Sequence, residues 1–166
     1  EHVIVEYEPL PVIDSAATGM LADSARVHDN LNSNILLETQ SGIDKDDPAF
    51  KKGDIKVSAN FRHPRVTGIP IENCGVIADY RTNTDELVVW SSTQIPHVLR
   101  DALCDSLGIS AHQIRVIAPD VGGGFGTKMQ ALPEEIVVSY LARLLHRPIK
   151  WTQDRMENIK ASFHAR

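Results

Sequence analysis

Two stretches of this sequence hold residue types that chemistry can use. Val121-Gly122-Gly123-Gly124-Phe125-Gly126-Thr127-Lys128 crowds four glycines into one loop. Without a Cβ the backbone adopts positive φ and comes close to a ligand. Successive exposed N–H groups ahead of a helix then form a site for an anion or an oxo group. A tight turn that packs strand against helix explains the same glycines equally well. Upstream, Ser91-Ser92-Thr93-Gln94 ends in an amide whose NH₂ can donate to an oxygen ligand. Taken alone, these polar residues are better explained as caps for a helix starting at Pro96.

Other chemistries fit less well. A Walker loop needs Gly directly before its Lys, but Thr127 precedes Lys128; a dinucleotide fingerprint begun at Gly122 needs Gly at 127. A nucleotide- or phosphate-binding module using the glycine loop is therefore an alternative rather than the main reading, as is a non-catalytic structural fragment. Histidines 2, 28, 63, 97, 112, 146 and 164 show no paired zinc-ligand spacing. Glu72 and Asp79 are isolated acids, Ser91 and Ser92 lack a nucleophile elbow, and Lys128 reads as a solvated residue at a helix start. Cys74, beside Gly75, reads as a small buried residue.

The elements that must position these residues follow from periodicity. Gly75–Tyr80 and Leu87–Ser92 are two strands joined by a polar hairpin link. A helix begins at Pro96, buries Val98, Leu99, Ala102, Leu103 and Leu107, and stops at Gly108. Ile114–Ala118 is a strand. A second helix begins near Pro133 with Glu134 and Glu135 in its first turn, and buries Val137, Leu141, Leu144 and Leu145. Ile149–Trp151 is a further strand. If the strands of this β-α-β-α-β run are parallel neighbours, the junctions 92–96 and 120–130 share one sheet edge, where such sheets bind ligands. Upstream, Val3–Tyr7 reads as a strand and the alternation Ile55, Val57, Ala59, Phe61 as another. Between them, at most one helical turn follows Ser15, and residues 25–52 are polar and aperiodic.

The chain has 166 residues, 42% of them hydrophobic and 23% charged, enough for one domain or two small pieces. A net charge of −5 with no basic stripe gives no support to nucleic-acid binding. No apolar run approaches the roughly 20 residues of a membrane span. Two cysteines cannot build a disulfide framework, which points to the cytoplasm. The start at Glu1 rather than Met leads us to expect a section of something longer.

Ser92-Thr93-Gln94-x-Pro96-His97, followed after a helix and a strand by Ala118-Pro119-Asp120 and the glycine loop, resembles the large subunit of molybdenum hydroxylases. That family includes xanthine dehydrogenase, aldehyde oxidase and carbon monoxide dehydrogenase. Pro148-Ile149-Lys150-Trp151 and Asp154-Arg155-Met156-Glu157-Asn158 are similar to its carbon monoxide dehydrogenase-like branch. Val5–Pro11 and Arg26–Asp29 resemble the tail of the family's hammerhead domain.

The resemblance implies an α+β fold: residues 1–37 as the tail of an α/β hammerhead domain, 38–54 as a linker, and 55–166 as the first part of a molybdopterin-binding domain. That last part would hold the βαβαβ unit in a mixed sheet. The cofactor would be molybdenum–molybdopterin, in its cytosine dinucleotide form. Gln94 would hydrogen-bond an oxo ligand of the metal, and Gly123, Gly124, Phe125 and Gly126 would set backbone N–H groups against the cofactor. Gln94 and Phe125 would thus lie beside the molybdenum without ligating it. Met129 would face the substrate pocket where purine-oxidising members carry an acid, which weakens a purine assignment. Glu72 is followed by Asn73-Cys74 where many relatives have Pro-Arg, closer to the carbon monoxide dehydrogenase-like pattern.

The family's base glutamate is expected downstream, so no catalytic set is complete here and the chain should be inactive alone. FAD and 2Fe–2S clusters are expected on partner subunits or domains. The partners are then the rest of the large subunit, the iron–sulfur and flavin subunits, and a small-molecule substrate oxidised with water-derived oxygen.

Overall fold

A computed structural model describes residues 4–39, 42, 47–55, 57, 59–64 and 66–162. It falls into two compact units, Glu1–Asn60 and Phe61–Arg166.

The first unit contains little regular structure. Ser15 caps a single turn, α1 (Ala16–Gly19), by accepting from the Thr18 N–H, as Ser at an N-cap does. Asn34 organises the following loop: its Nδ2 donates to the Gly19 and Ala25 carbonyls and its Oδ1 accepts from the Val27 N–H. A second short turn, α2 (Pro48–Lys51), interrupts the polar stretch. Of the expected strand at Val3–Tyr7, Val3 lies outside the described residues, and Ile4–Tyr7 forms no strand. The alternating segment that starts in this unit at Ile55 fails as well. Ile55, Val57 and Phe61 are 85%, 86% and 95% exposed, with no partner strand among the described residues. Alternation marks residues that share a face, but a strand needs a neighbour to fill its hydrogen bonds.

The second unit is a four-stranded sheet with helices packed on one face. Its elements are β1 (Gly75–Arg81), β2 (Glu86–Ser91), α3 (Pro96–Leu107), β3 (Ile114–Ile117), α4 (Pro133–Leu145), β4 (Ile149–Thr152) and α5 (Arg155–Ala161). The strand order is β3-β2-β1-β4. β2 pairs parallel with β3, whereas β1 runs antiparallel to both β2 and β4. The sheet is therefore mixed. β2-α3-β3 is a parallel crossover between neighbours, but the chain after α4 passes β2 and β1 to place β4 on the other edge. The mixed sheet is as expected, but only the first crossover of the β-α-β-α-β run joins parallel neighbours.

β2, β3 and β4 nevertheless point the same way, so their carboxyl ends share one end of the sheet. The segment entering β1 arrives there too, because Val76 pairs with Ser91 and Gly75 with Thr152.

The core joins Val76, Ala78, Leu87, Val89 and Ile114 of the sheet to Leu99, Leu103, Val138 and Ala142 of the helices. Each fully buried leucine contributes about 1.5–3 kcal/mol relative to an exposed one. Leu99 and Leu103 seat α3 as the periodicity requires, and Gly108 closes it at φ 64. Val98, expected inside, faces out, and so do Val137, Leu144 and Leu145 of α4. α4 carries apolar residues on two faces, and the one against the sheet is Val138 and Ala142 with Glu135 and Ser139. No helix among the described residues is long and apolar enough to cross a membrane.

Candidate functional site

Four chain segments meet at the carboxyl end of β2 and β3: residues 71–74 before β1, 92–95 after β2, 118–128 after β3, and 153–158 from the end of β4 into α5. Gln94 sits between β2 and α3, yet it does not cap the helix. Ile95 holds the N-cap place without a side-chain bond, and Thr93 Oγ1 accepts from the Ile95 N–H at 3.1 Å. The Gln94 side chain instead turns to the glycine loop. Its Oε1 accepts from the Gly126 N–H at 3.1 Å and the Lys128 N–H at 3.3 Å. Its own N–H donates to the Lys128 carbonyl at 3.0 Å.

Two backbone donors on one amide atom identify that atom as the oxygen. The NH₂ therefore lies on the other side, and no acceptor among the described residues meets it.

The loop explains its own glycines. A Cβ on Gly124 would stand 2.4 Å from Gln94 Cδ and 2.5 Å from its Oε1, and one on Gly122 would stand 2.6 Å from Glu72 Cβ. Gly123 and Gly126 have φ of 99° and 85°. Phe125 between them takes φ 51°, a conformation that costs a non-glycine residue about 1–3 kcal/mol. The Gly122, Gly126 and Lys128 N–H groups are taken by side chains, and those of Gly123 and Thr127 by turns within the loop. The Gly124 and Phe125 N–H groups have no acceptor among the described residues. Phe125 is 66% and Met129 59% exposed.

Contrary to the expectation from sequence, Glu72 is not an isolated acid and Lys128 is not a solvated lysine. The Lys128 side chain is 1% exposed, and its Nζ lies 2.8 Å from Glu72 Oε2, which also accepts from the Gly122 N–H at 2.7 Å. Desolvation acts to raise the Glu72 carboxyl, but the Lys128 ammonium and the Gly122 N–H outweigh it and hold the group below the usual carboxylate range. No local signal could have revealed this pair, whose members stand 56 residues apart.

The segment bearing Glu72 is itself held from β4 and α5. Asn73 Nδ2 donates to the Gln153 carbonyl, Asn158 Nδ2 donates to Gln153 Oε1, and Arg155 Nη2 donates to the Ile71 carbonyl at 2.7 Å. Burial pushes the Cys74 thiol up, as suits an inert packing residue. Beneath the loop, buried Glu135 accepts from Ser91 Oγ at 2.5 Å and from the Leu132 N–H at 2.7 Å. Desolvation pushes its carboxyl up against those two donors.

The arrangement thus offers an amide NH₂ and two backbone N–H groups to an oxygen-rich or anionic ligand. Among the described residues no cluster of three His, Cys, Asp or Glu could hold a bare metal ion. A metal at this edge would have to bring its own ligands.

Residues 27–166 match the family described as the molybdopterin cofactor-binding domain. The chain belongs to that family. It is 35% identical to the nicotine 6-hydroxylase large subunit of Paenarthrobacter nicotinovorans, over 99% of this chain and 19% of the relative. It is 33% identical to the carbon monoxide dehydrogenase large chain of Afipia carboxidovorans, over 100% of this chain and 22% of the relative. The crystal structure of quinoline 2-oxidoreductase from Pseudomonas putida 86 superposes with a TM-score of 0.86 at 36% identity, covering 97% of this chain and 20% of the other. The chain therefore spans about a fifth of the length of the curated relatives it matches. Family membership and the mixed α+β sheet agree with the resemblance seen in the Thr93-Gln94 and glycine-loop motifs.

Proposed function

We propose that this chain forms part of a molybdenum hydroxylase large subunit and receives the molybdenum–molybdopterin cofactor, in its cytosine dinucleotide form, at the Gln94–glycine-loop edge. One observation carries the proposal. The Gln94 carbonyl is locked by the Gly126 and Lys128 N–H groups, so its NH₂ is left to donate beside the unfilled N–H groups of Gly124 and Phe125.

The cofactor, when bound, supplies the redox centre at which water-derived oxygen is added to a small substrate. The work of this chain is to bind and orient. Gln94 NH₂ donates to an oxo-type oxygen, and hydrogen bonds to such charged acceptors are worth about 1.5–3 kcal/mol each. Gly124 and Phe125 N–H add fixed positive dipoles that need no reorganisation during turnover. Gly123 and Gly126 supply the positive φ that the loop takes on either side of those donors. The exposed side chains of Phe125 and Met129 form the apolar border on the substrate side.

In this reading residues 1–37 close a hammerhead domain, 38–54 link it onward and 55–166 hold the packed part of the cofactor-binding domain, whose family match begins earlier, at residue 27, and so takes in the linker and the end of the tail. The base glutamate lies outside the chain, as do the FAD and 2Fe–2S centres that carry electrons away on partner subunits. The two free cysteines fit a reducing compartment, and we place the enzyme in the cytoplasm.

The test is Gln94→Ala in the intact protein, assayed against nicotine, quinoline, carbon monoxide and an aldehyde with an artificial electron acceptor. Loss of one preorganised donor should lower turnover per molybdenum about 10²-fold while molybdenum is retained. Unchanged turnover per molybdenum would remove Gln94 from its role.

A further inference from the structure

We propose that Glu72 and Lys128 are a positioning pair for the glycine loop, fixing where the Gly124 and Phe125 N–H groups and the Gln94 amide are presented. The proposal rests on the molybdopterin reading above. A single carboxylate oxygen, Glu72 Oε2, holds both ends of the loop: the Gly122 N–H at 2.7 Å and the Lys128 ammonium at 2.8 Å. Between these anchors the backbone takes positive φ at Gly123, Phe125 and Gly126. A strained phenylalanine persists only where its surroundings over-determine it.

Lys128 is also the residue on which Gln94 hangs. Its N–H donates to Gln94 Oε1, and its carbonyl accepts from the Gln94 N–H and, at 3.5 Å, from Thr93 Oγ1. A displacement of Lys128 therefore moves the amide as well as the loop. Glu72 is braced in turn by the Ile71 carbonyl bond to Arg155 and by the Asn73–Gln153 contact. The pair thus transmits the position of the β4–α5 junction to the loop.

A purely structural ion pair and a positioning pair respond differently when both charges are removed. Glu72→Gln alone strands a buried ammonium, which is destabilising. Glu72→Gln combined with Lys128→Met removes that stranded charge while keeping an acceptor for Gly122 and an unbranched side chain of similar length at 128. We expect the double variant of the intact protein to recover the melting temperature lost by Glu72→Gln. It should not recover the loop: amide hydrogen exchange over 122–128 stays faster than in the wild type. Molybdenum and pterin content stay about tenfold low, the loss typical when a metal-orienting contact outside the ligands is removed.

A double variant with wild-type exchange and wild-type cofactor content would overturn the proposal. If the wild type itself carries neither molybdenum nor pterin, the molybdopterin reading fails, and the pair is judged on exchange alone. Faster exchange over 122–128 in the double variant then sustains its hold on the loop, and unchanged exchange refutes it.

Discussion

The two ends of the sheet are tied together by different kinds of contact. At the hairpin end, Tyr80 OH donates to Asp85 at 2.5 Å and Arg81 pairs with Glu86 at 3.2 Å, each across five residues. Gln113 adds a bond to the same Asp85. These groups are exposed or half-buried and mostly neighbours in sequence. At the glycine-loop end, the Gln94–Gly126, Ser91–Glu135, Glu72–Gly122, Glu72–Lys128 and Ile71–Arg155 bonds span 32 to 84 residues, and Lys128, Glu135, Ser91 and Asn158 are buried. The hairpin end can form as soon as its strands do. The other end exists only once four segments have arrived in register, so an error in one is felt by all. That is a suitable build for a site that must hold donors still.

The contrast can be broken most severely at Gly124. An added Cβ would overlap the Gln94 amide, so Gly124→Ala must displace Gln94 or the loop. We expect cofactor content to fall about tenfold, with about 1–3 kcal/mol of overpacking visible as a lower melting temperature. Elemental analysis and calorimetry on the same preparation check both.

A smaller effect separates two glutamates at this end. The Glu72 carboxyl is held low, so its contribution is present above its unfolded pKa and is lost as pH falls through the folded value. It is partly exposed, so solvent screening keeps that contribution small. The Glu135 carboxyl is pushed up, so the opposite holds: its contribution is present below the unfolded pKa and is lost as pH rises through the folded one. Glu135→Gln, which keeps the shape and an acceptor, should therefore gain on the wild type in melting temperature as pH rises from the acid range towards neutral. A constant difference between the two across that range would contradict the assignment.

The smallest effect is expected at the hairpin end. Tyr80→Phe should lower the melting temperature slightly and leave molybdenum and pterin content as in the wild type. A loss of cofactor there would show that the two ends are coupled.

Legibility in the sequence divides along the same line. α3 was visible from the spacing of Leu99 and Leu103 and from the Gly108 stop, and the β2-α3-β3 crossover from its alternation of periods, because these patterns are local. The glycine loop and Gln94 stood out by residue type, and the parallel directions of β2 and β3 bring them together. What stayed hidden depended on partners far along the chain. Nothing near Lys128 tells that Glu72 will bury it. α4 offers apolar residues on two faces, and only the sheet decides that Val138 and Ala142 go inside. Ile55, Val57 and Phe61 alternate without a strand to pair with, so their pattern yields no sheet among the described residues.

The most direct test of the central claim is to purify the intact protein natively and measure molybdenum by elemental mass spectrometry together with fluorescence of the oxidised pterin. The account predicts both, near one molybdenum and one pterin per chain. Protein that is folded and carries neither would contradict the claim that the Gln94–glycine-loop edge holds a molybdopterin cofactor.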